Sequence, residues 1–94
     1  MLCLRVTFTV HSGAEDECKR LMRTMMEHTA REPGCRAYVG WQSTDSPRKF
    51  FFYEVYDDQA ALQAHRAASY FAQYVTNGLG KLMESSEREI YRPV

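Results

Sequence analysis

An N-terminal strand of period two, a long helical stripe with one apolar face and a seven-residue aromatic strand predict an α+β fold of ferredoxin-like topology. The order is β-α-β-β-α-β, with a four-stranded antiparallel sheet and two helical segments on one side. A chain of 94 residues has room for one core, so residues 1–94 form a single domain.

Leu2, Leu4, Val6, Phe8 and Val10 alternate with Arg5, Thr7, Thr9 and His11, which makes one face of the first strand apolar. Ser12 stands three residues before Glu15, the spacing of a capping box, and opens a helix. Ala14, Cys18, Leu21, Met22, Met25 and Thr29 recur at helical steps, while Glu15, Asp16, Lys19, Arg20, Arg23 and Glu27 keep mostly to the other side. Met25 and Met26 read as core filler. The helix stops before Pro33-Gly34, because the residue preceding a proline disfavours helical backbone.

Cys35 to Ser43, carrying Tyr38, Val39 and Trp41, is a second extended run, and Asp45-Ser46-Pro47 is turn chemistry. Phe50 to Tyr56 is the strongest strand, apolar or aromatic at six of seven positions. Asp57 or Asp58 caps a short helix through Ala60, Ala61, Leu62 and His65. Ser69 restarts it, with Phe71, Tyr74, Val75, Leu79 and Leu82 facing inward and Asn77-Gly78 marking a bend. Glu87 to Arg92, containing Ile90 and Tyr91, closes the sheet.

Composition excludes several function classes. Twelve basic and twelve acidic side chains cancel, with no basic stripe of the kind that reads nucleic acid. No apolar run approaches the roughly 18 residues of a membrane span, and the N-terminus lacks the pattern of a signal peptide. Cys3, Cys18 and Cys35 are odd in number and far apart, which predicts reduced thiols and a cytoplasmic location. His11 and His28, on a strand end and an exposed helix flank, have no ligand spacing, so no metal site is predicted.

Counting faces predicts a homodimer. Two helical segments cover only one face of a four-stranded sheet, yet the third strand is apolar on both. Phe50, Phe52, Glu54 and Tyr56 point one way, and Phe51, Tyr53 and Val55 the other. Left open beside neighbours such as Tyr38, the second set would form a large apolar patch. Pairing two such sheets about a two-fold axis removes it.

The stretch Glu32-Pro33-Gly34-Cys35, then Tyr38, Phe50 to Asp58, Ala60-Ala61-Leu62-Gln63-Ala64-His65 and Phe71, resembles the antibiotic biosynthesis monooxygenase domain. The resemblance spans essentially the whole chain and is densest from Glu32 to Phe71. It implies a dimeric α+β barrel and an activity among those this scaffold hosts. These are cofactor-free quinol or anthrone oxygenation, haem degradation, and isomerisation of a phosphorylated signalling molecule. Tyr70 stands where the family commonly has a second histidine. The places where haem-degrading relatives need asparagine, tryptophan and histidine fall near Val6, Tyr56 and Val75, so haem degradation is not expected.

Cofactor-free oxygenation makes a definite chemical demand. A phenol, with a pKa of about 10, must lose its proton to become an anion that can pass an electron to dioxygen. That requires an aromatic pocket, a base and donors that hold the anion. An ordinary histidine falls roughly 3.5 units short of the phenol, a gap of about 5 kcal/mol that the donors must partly close. His65 is the first candidate base, since histidine titrates near neutrality; alternatively it caps a carbonyl and packs on the sheet. Glu54 is a carboxylate inside an apolar strand, where burial raises its pKa. It serves as a base, as the orienter of His65, or as a structural partner of Arg66. Phe52, Tyr56, Trp41, Phe71 and Tyr74 are the expected substrate-binding residues for a small aromatic substrate. No cofactor is expected. An isomerase would need a cationic cluster for phosphate, which the helix face does not obviously offer. A non-catalytic dimeric binding or stress module is the third alternative.

Overall fold

The computed structural model describes all residues from Met1 to Val94. Strand β1 (Leu2–Val10) leads into helix α1 (Glu15–Thr29), followed by β2 (Cys35–Gln42), β3 (Lys49–Tyr56) and helix α2 (Gln59–Ala67). A further helix, α3 (69–82), starts as an α turn at Ser69–Phe71 and runs as π-helix through Ala72–Leu79. It closes with an α turn at Gly80–Leu82, and β4 (Met83–Tyr91) ends the fold. The strands form one antiparallel sheet in the order β2-β3-β1-β4. This is the predicted β-α-β-β-α-β topology, and no helix is long and apolar enough to cross a membrane.

Register decides which side chains meet, because residues directly opposite in an antiparallel pair share a face. Val6 lies opposite Phe52 on β3 and Arg88 on β4, and Phe8 lies opposite Phe50 and Ser86. Leu4 lies opposite Glu54, and on β2 Tyr38 also faces Glu54 while Gly40 faces Phe52. All of these turn toward the helices. The buried stripe of α1 (Cys18, Leu21, Met22, Met25 and Thr29) packs on Phe8, Val10, Phe50 and Phe52, with Leu79 of α3 completing the core. A smaller cluster of Leu4, Tyr56 and Leu62 holds α2 down. The stripe read from sequence is thus the buried face of α1.

Two glycines lie close against neighbours, Gly40 against the movable end of Met22 and Gly34 against the fixed Cβ of Ala61. A Cβ on Gly40 would sit 2.5 Å from Met22 Cε, and one on Gly34 would sit 2.6 Å from Ala61 Cβ. The second contact sets how near α2 approaches the β2–β3 corner.

Four local expectations are corrected. The Ser12 hydroxyl does not cap α1; the helix starts after Ala14, and the Glu15 carboxylate accepts from the Gly13 N–H at 2.6 Å. Asn77-Gly78 makes no bend, since both lie within the π-helical stretch. Strand β4 begins at Met83 rather than Glu87, because pairing with β1 carries the polar run Glu84-Ser85-Ser86 into the sheet. The two faces of β2 are the reverse of the expected ones. Tyr38 points to the helices, and Trp41 lies opposite Phe51 on the open face, stacked with it at 6.5 Å.

Candidate active site

Between the sheet and the helices α2 and α3 lies a cavity of about 240 Å³, with nine hydrophobic residues among the 14 that line it. The polar remainder is Glu54, His65, Arg66, Ser86 and Arg88. A larger depression of about 440 Å³ on the open face has one hydrophobic residue among seven and is a shallow polar trough beside Arg5, Lys49 and Glu87. Small-molecule sites are concave and mostly apolar with a few convergent polar groups, which singles out the smaller cavity.

His65 arrives from the last turn of α2. That helix is placed by Asp58, whose side chain accepts from the Ala61 N–H at 2.9 Å, one of the two caps anticipated. The imidazole is 2% exposed and boxed by aromatic rings: Tyr38 at 5.2 Å, Phe71 at 5.3 Å and Tyr56 at 5.5 Å between centroids. Its Nδ1 lies 2.9 Å from Oε2 and 3.2 Å from Oε1 of Glu32. A nitrogen facing a carboxylate carries the proton, so Nδ1–H donates to Glu32 and Nε2 is the free base. The Tyr70 hydroxyl donates to the same Glu32 oxygen. Tyr70 is stacked on His28 at 4.7 Å, and Tyr74 on His28 at 5.6 Å, so His28 is a packing partner rather than a solvated flank residue.

Glu54 is 4% exposed, and its Oε1 accepts from the Tyr56 hydroxyl at 2.5 Å. Burial pushes its pKa up to about 7, while the bond from Tyr56 and the charge of Arg88 pull it down and Glu32 adds a small upward push. Its titration range thus reaches neutrality. The Tyr56 and Tyr38 phenols are driven well above their ordinary range, chiefly by burial and next by the Glu54 charge, so both stay protonated as donors. Burial likewise pushes the Cys18 thiol up to about 12 and the Cys35 thiol to about 11, which leaves both unreactive at neutral pH.

His65, Glu54, Phe52 and Phe71 therefore meet at one cavity. Three expected binding residues do not line it. Trp41 is on the opposite face of the sheet, Tyr56 is packed with Leu4 and Leu62 and donates to Glu54, and Tyr74 stacks on His28. Glu54 does not orient His65 and forms no ion pair with Arg66; Glu32 takes the first role and the Tyr56 hydroxyl the second. Sequence reasoning missed Glu32, Tyr38 and Arg88 as site residues, and also the cationic pair Arg66 and Arg88 on the helix side. No periodic signal marks Tyr38 or Arg88, since neither β2 nor β4 holds a buried residue of its own, and only pairing with β3 and β1 sets their faces.

Comparison with known proteins agrees with this architecture. The family model described as antibiotic biosynthesis monooxygenase matches residues 1–77. An uncharacterized protein of Synechocystis sp. is 31% identical over 83 residues, covering 88% of this chain; the chain spans 56% of that relative's length. A crystal structure of an antibiotic biosynthesis monooxygenase superposes with a TM-score of 0.93 at 27% identity, covering 100% of this chain and 99% of the other. A Nitrosomonas europaea protein named as a candidate of the same kind gives a TM-score of 0.93 at 25% identity, with 100% and 99% covered. With the family model matched over most of its length, the chain belongs to the antibiotic biosynthesis monooxygenase family.

Proposed function

We propose that this chain is a monooxygenase of quinols or related polyketide-like phenols that works without metal or flavin, with His65 as base. The observation that carries the reading is the Glu32–His65 pair, a histidine tied at Nδ1 to a carboxylate in the wall of an aromatic cavity. Nε2 of His65 takes the phenolic proton, and the imidazolium that forms is stabilised by Glu32. Tyr38, held protonated by burial, supplies a donor on the same wall. The electron-rich anion passes an electron to dioxygen, and recombination forms a carbon–oxygen bond. His65 returns its proton to the peroxide, and the O–O bond breaks as the ring carbon loses its own proton. The distal oxygen thus leaves as hydroxide and becomes water with that second proton, relayed by Glu54. The ring supplies the electrons, and a quinol plus dioxygen gives a hydroxyquinone plus water. Glu54, titrating near neutrality, is suited to take the proton released from the ring carbon.

The working unit in this reading is a homodimer. Val39, Trp41, Tyr53 and Tyr91 are exposed on the open face, and a second copy laid on it removes this apolar surface from water. Oxygen uptake over a panel of quinols, anthrones and catechols, with chelator-treated protein, tests the reading. Stoichiometric oxygen consumption with one of these phenols is the expected result, and no uptake across the panel contradicts it.

A further inference from the structure

We infer that the preferred substrate is an aromatic acid, a phenol carrying a carboxylate that Arg66 and Arg88 hold at the rim of the cavity. This rests on the reading of the cavity as a phenol site and adds the charge its ligand must carry. Both arginines line the cavity, one from α2 and one from β4. Arg88 lies opposite Val6, so its side chain is on the helix face, while its neighbours Glu87 and Glu89 lie opposite Thr7 and Arg5 on the other face. Arg20, Arg36 and Arg48 each have a carboxylate within ion-pair distance. Arg66 and Arg88 have none and donate no hydrogen bond within the chain. Arg5, Arg23, Arg31 and Arg92 also lack such a carboxylate, but of these six only Arg66 and Arg88 line the cavity.

Glu54 offsets the charge of one guanidinium at most, through its attraction to Arg88, and a neutral quinol would gain nothing from the positive charge that is left over. A carboxylate gains charge-assisted hydrogen bonds and is drawn in by the positive potential. The size of the cavity sets the rest of the ligand. A void of roughly 150 Å³ accepts one benzene ring, so about 240 Å³ accommodates one substituted or two fused rings. The largely apolar lining favours such a ring over a phosphorylated sugar, which would leave its hydroxyls facing hydrocarbon.

Anaerobic calorimetry with 2,5-dihydroxybenzoate, its methyl ester, hydroquinone and ribose 5-phosphate tests this. The acid is expected to bind roughly tenfold to a hundredfold more tightly than ester or hydroquinone, the range of charged hydrogen bonds. Added salt should narrow the gap. Arg88→Gln and Arg66→Gln should each shrink the preference, and Arg88→Lys should retain part of it. Equal affinity for acid and ester, or a preference left intact by both glutamine variants, overturns the proposal. So does tighter binding of ribose 5-phosphate than of the aromatic acid. Because binding is read without oxygen, selective binding with no later oxygen uptake would sink the monooxygenase reading alone. Uptake with hydroquinone and the acid at equal affinity would sink the acid preference alone.

Discussion

Nδ1 of His65 lies 2.9 Å from Oε2 of Glu32, a carboxylate 33 residues earlier that enters from the turn between α1 and β2. The imidazole is thereby fixed in one tautomer, and its charged form has a partner waiting. Glu32→Gln keeps the size of the side chain and removes the charge. Turnover of a phenol substrate at neutral pH should fall roughly tenfold to a hundredfold, within the range of general-base effects. Steady-state kinetics on a variant with an unchanged melting temperature would check this. Undiminished turnover would remove Glu32 from the mechanism.

The buried Glu54 carboxylate makes stability depend on pH with a definite sign. Its folded pKa of about 7 stands above the ordinary 4.5, so between these values the native state keeps a proton that the unfolded chain releases. Stability is therefore full below pH 4.5 and falls as pH rises, with the loss complete above about pH 7. The upper bound is about 3 kcal/mol for a rise from 4.5 to about 7. Glu54→Gln, which cannot ionise, should be relatively more stable than the parent at high pH than at low pH. Urea denaturation at several pH values reads the difference, and parallel curves for the two proteins would contradict it.

Gly34 ties the turn that carries Glu32 to the helix that carries His65. A Cβ there would approach Ala61 Cβ to 2.6 Å, and the Gly34 carbonyl already accepts from the Asp57 N–H at 2.9 Å. Gly34→Ala should push α2 outward and cost about 1–3 kcal/mol, the range of overpacking. Thermal unfolding would show the loss, and turnover should fall with it because the Glu32–His65 distance lengthens.

The open sheet face predicts association. Tyr53 is 43% exposed and lies between Val39 on β2 and Arg5 on β1. Tyr53→Lys would set a second positive charge opposite Arg5 and bury it in the interface between two copies. Sedimentation should give twice the chain mass for the parent and a smaller species for the variant. A well-folded monomer of the parent would refute the face-counting argument.

Much of this fold was legible because it rests on periodicity. The alternation in β1 and the stripe of α1 each have a single solution that buries their apolar side. Strand β2 was misread because a one-residue change of parity exchanges its faces, and the irregularity between Cys35 and Ala37 hides the count. Strand β4 is polar along most of its length, so only its pairing with β1 shows where it starts. The Asn77-Gly78 pair reads as a break, yet Gly78 is packed against Leu21 within a continuous helix, and tertiary contact overrides propensity. His65 and Glu54 could be found as polar residues on apolar elements. Glu32 could not, since a loop carboxylate has no period and its partner is fixed only by the fold.

The central claim is that His65 is the base that makes a phenol react with dioxygen. Oxygen consumption by parent and His65→Ala, compared near pH 7 and near pH 10 on variants of matched melting temperature, tests it most directly. At pH 7 the substitution should lower turnover by about 10²–10⁴-fold, the usual contribution of a general base. Near pH 10 the gap should narrow, because a phenol with a pKa of about 10 ionises without help. Full activity of His65→Ala at both pH values would contradict the account and leave His65 as packing between Tyr38, Tyr56 and Phe71.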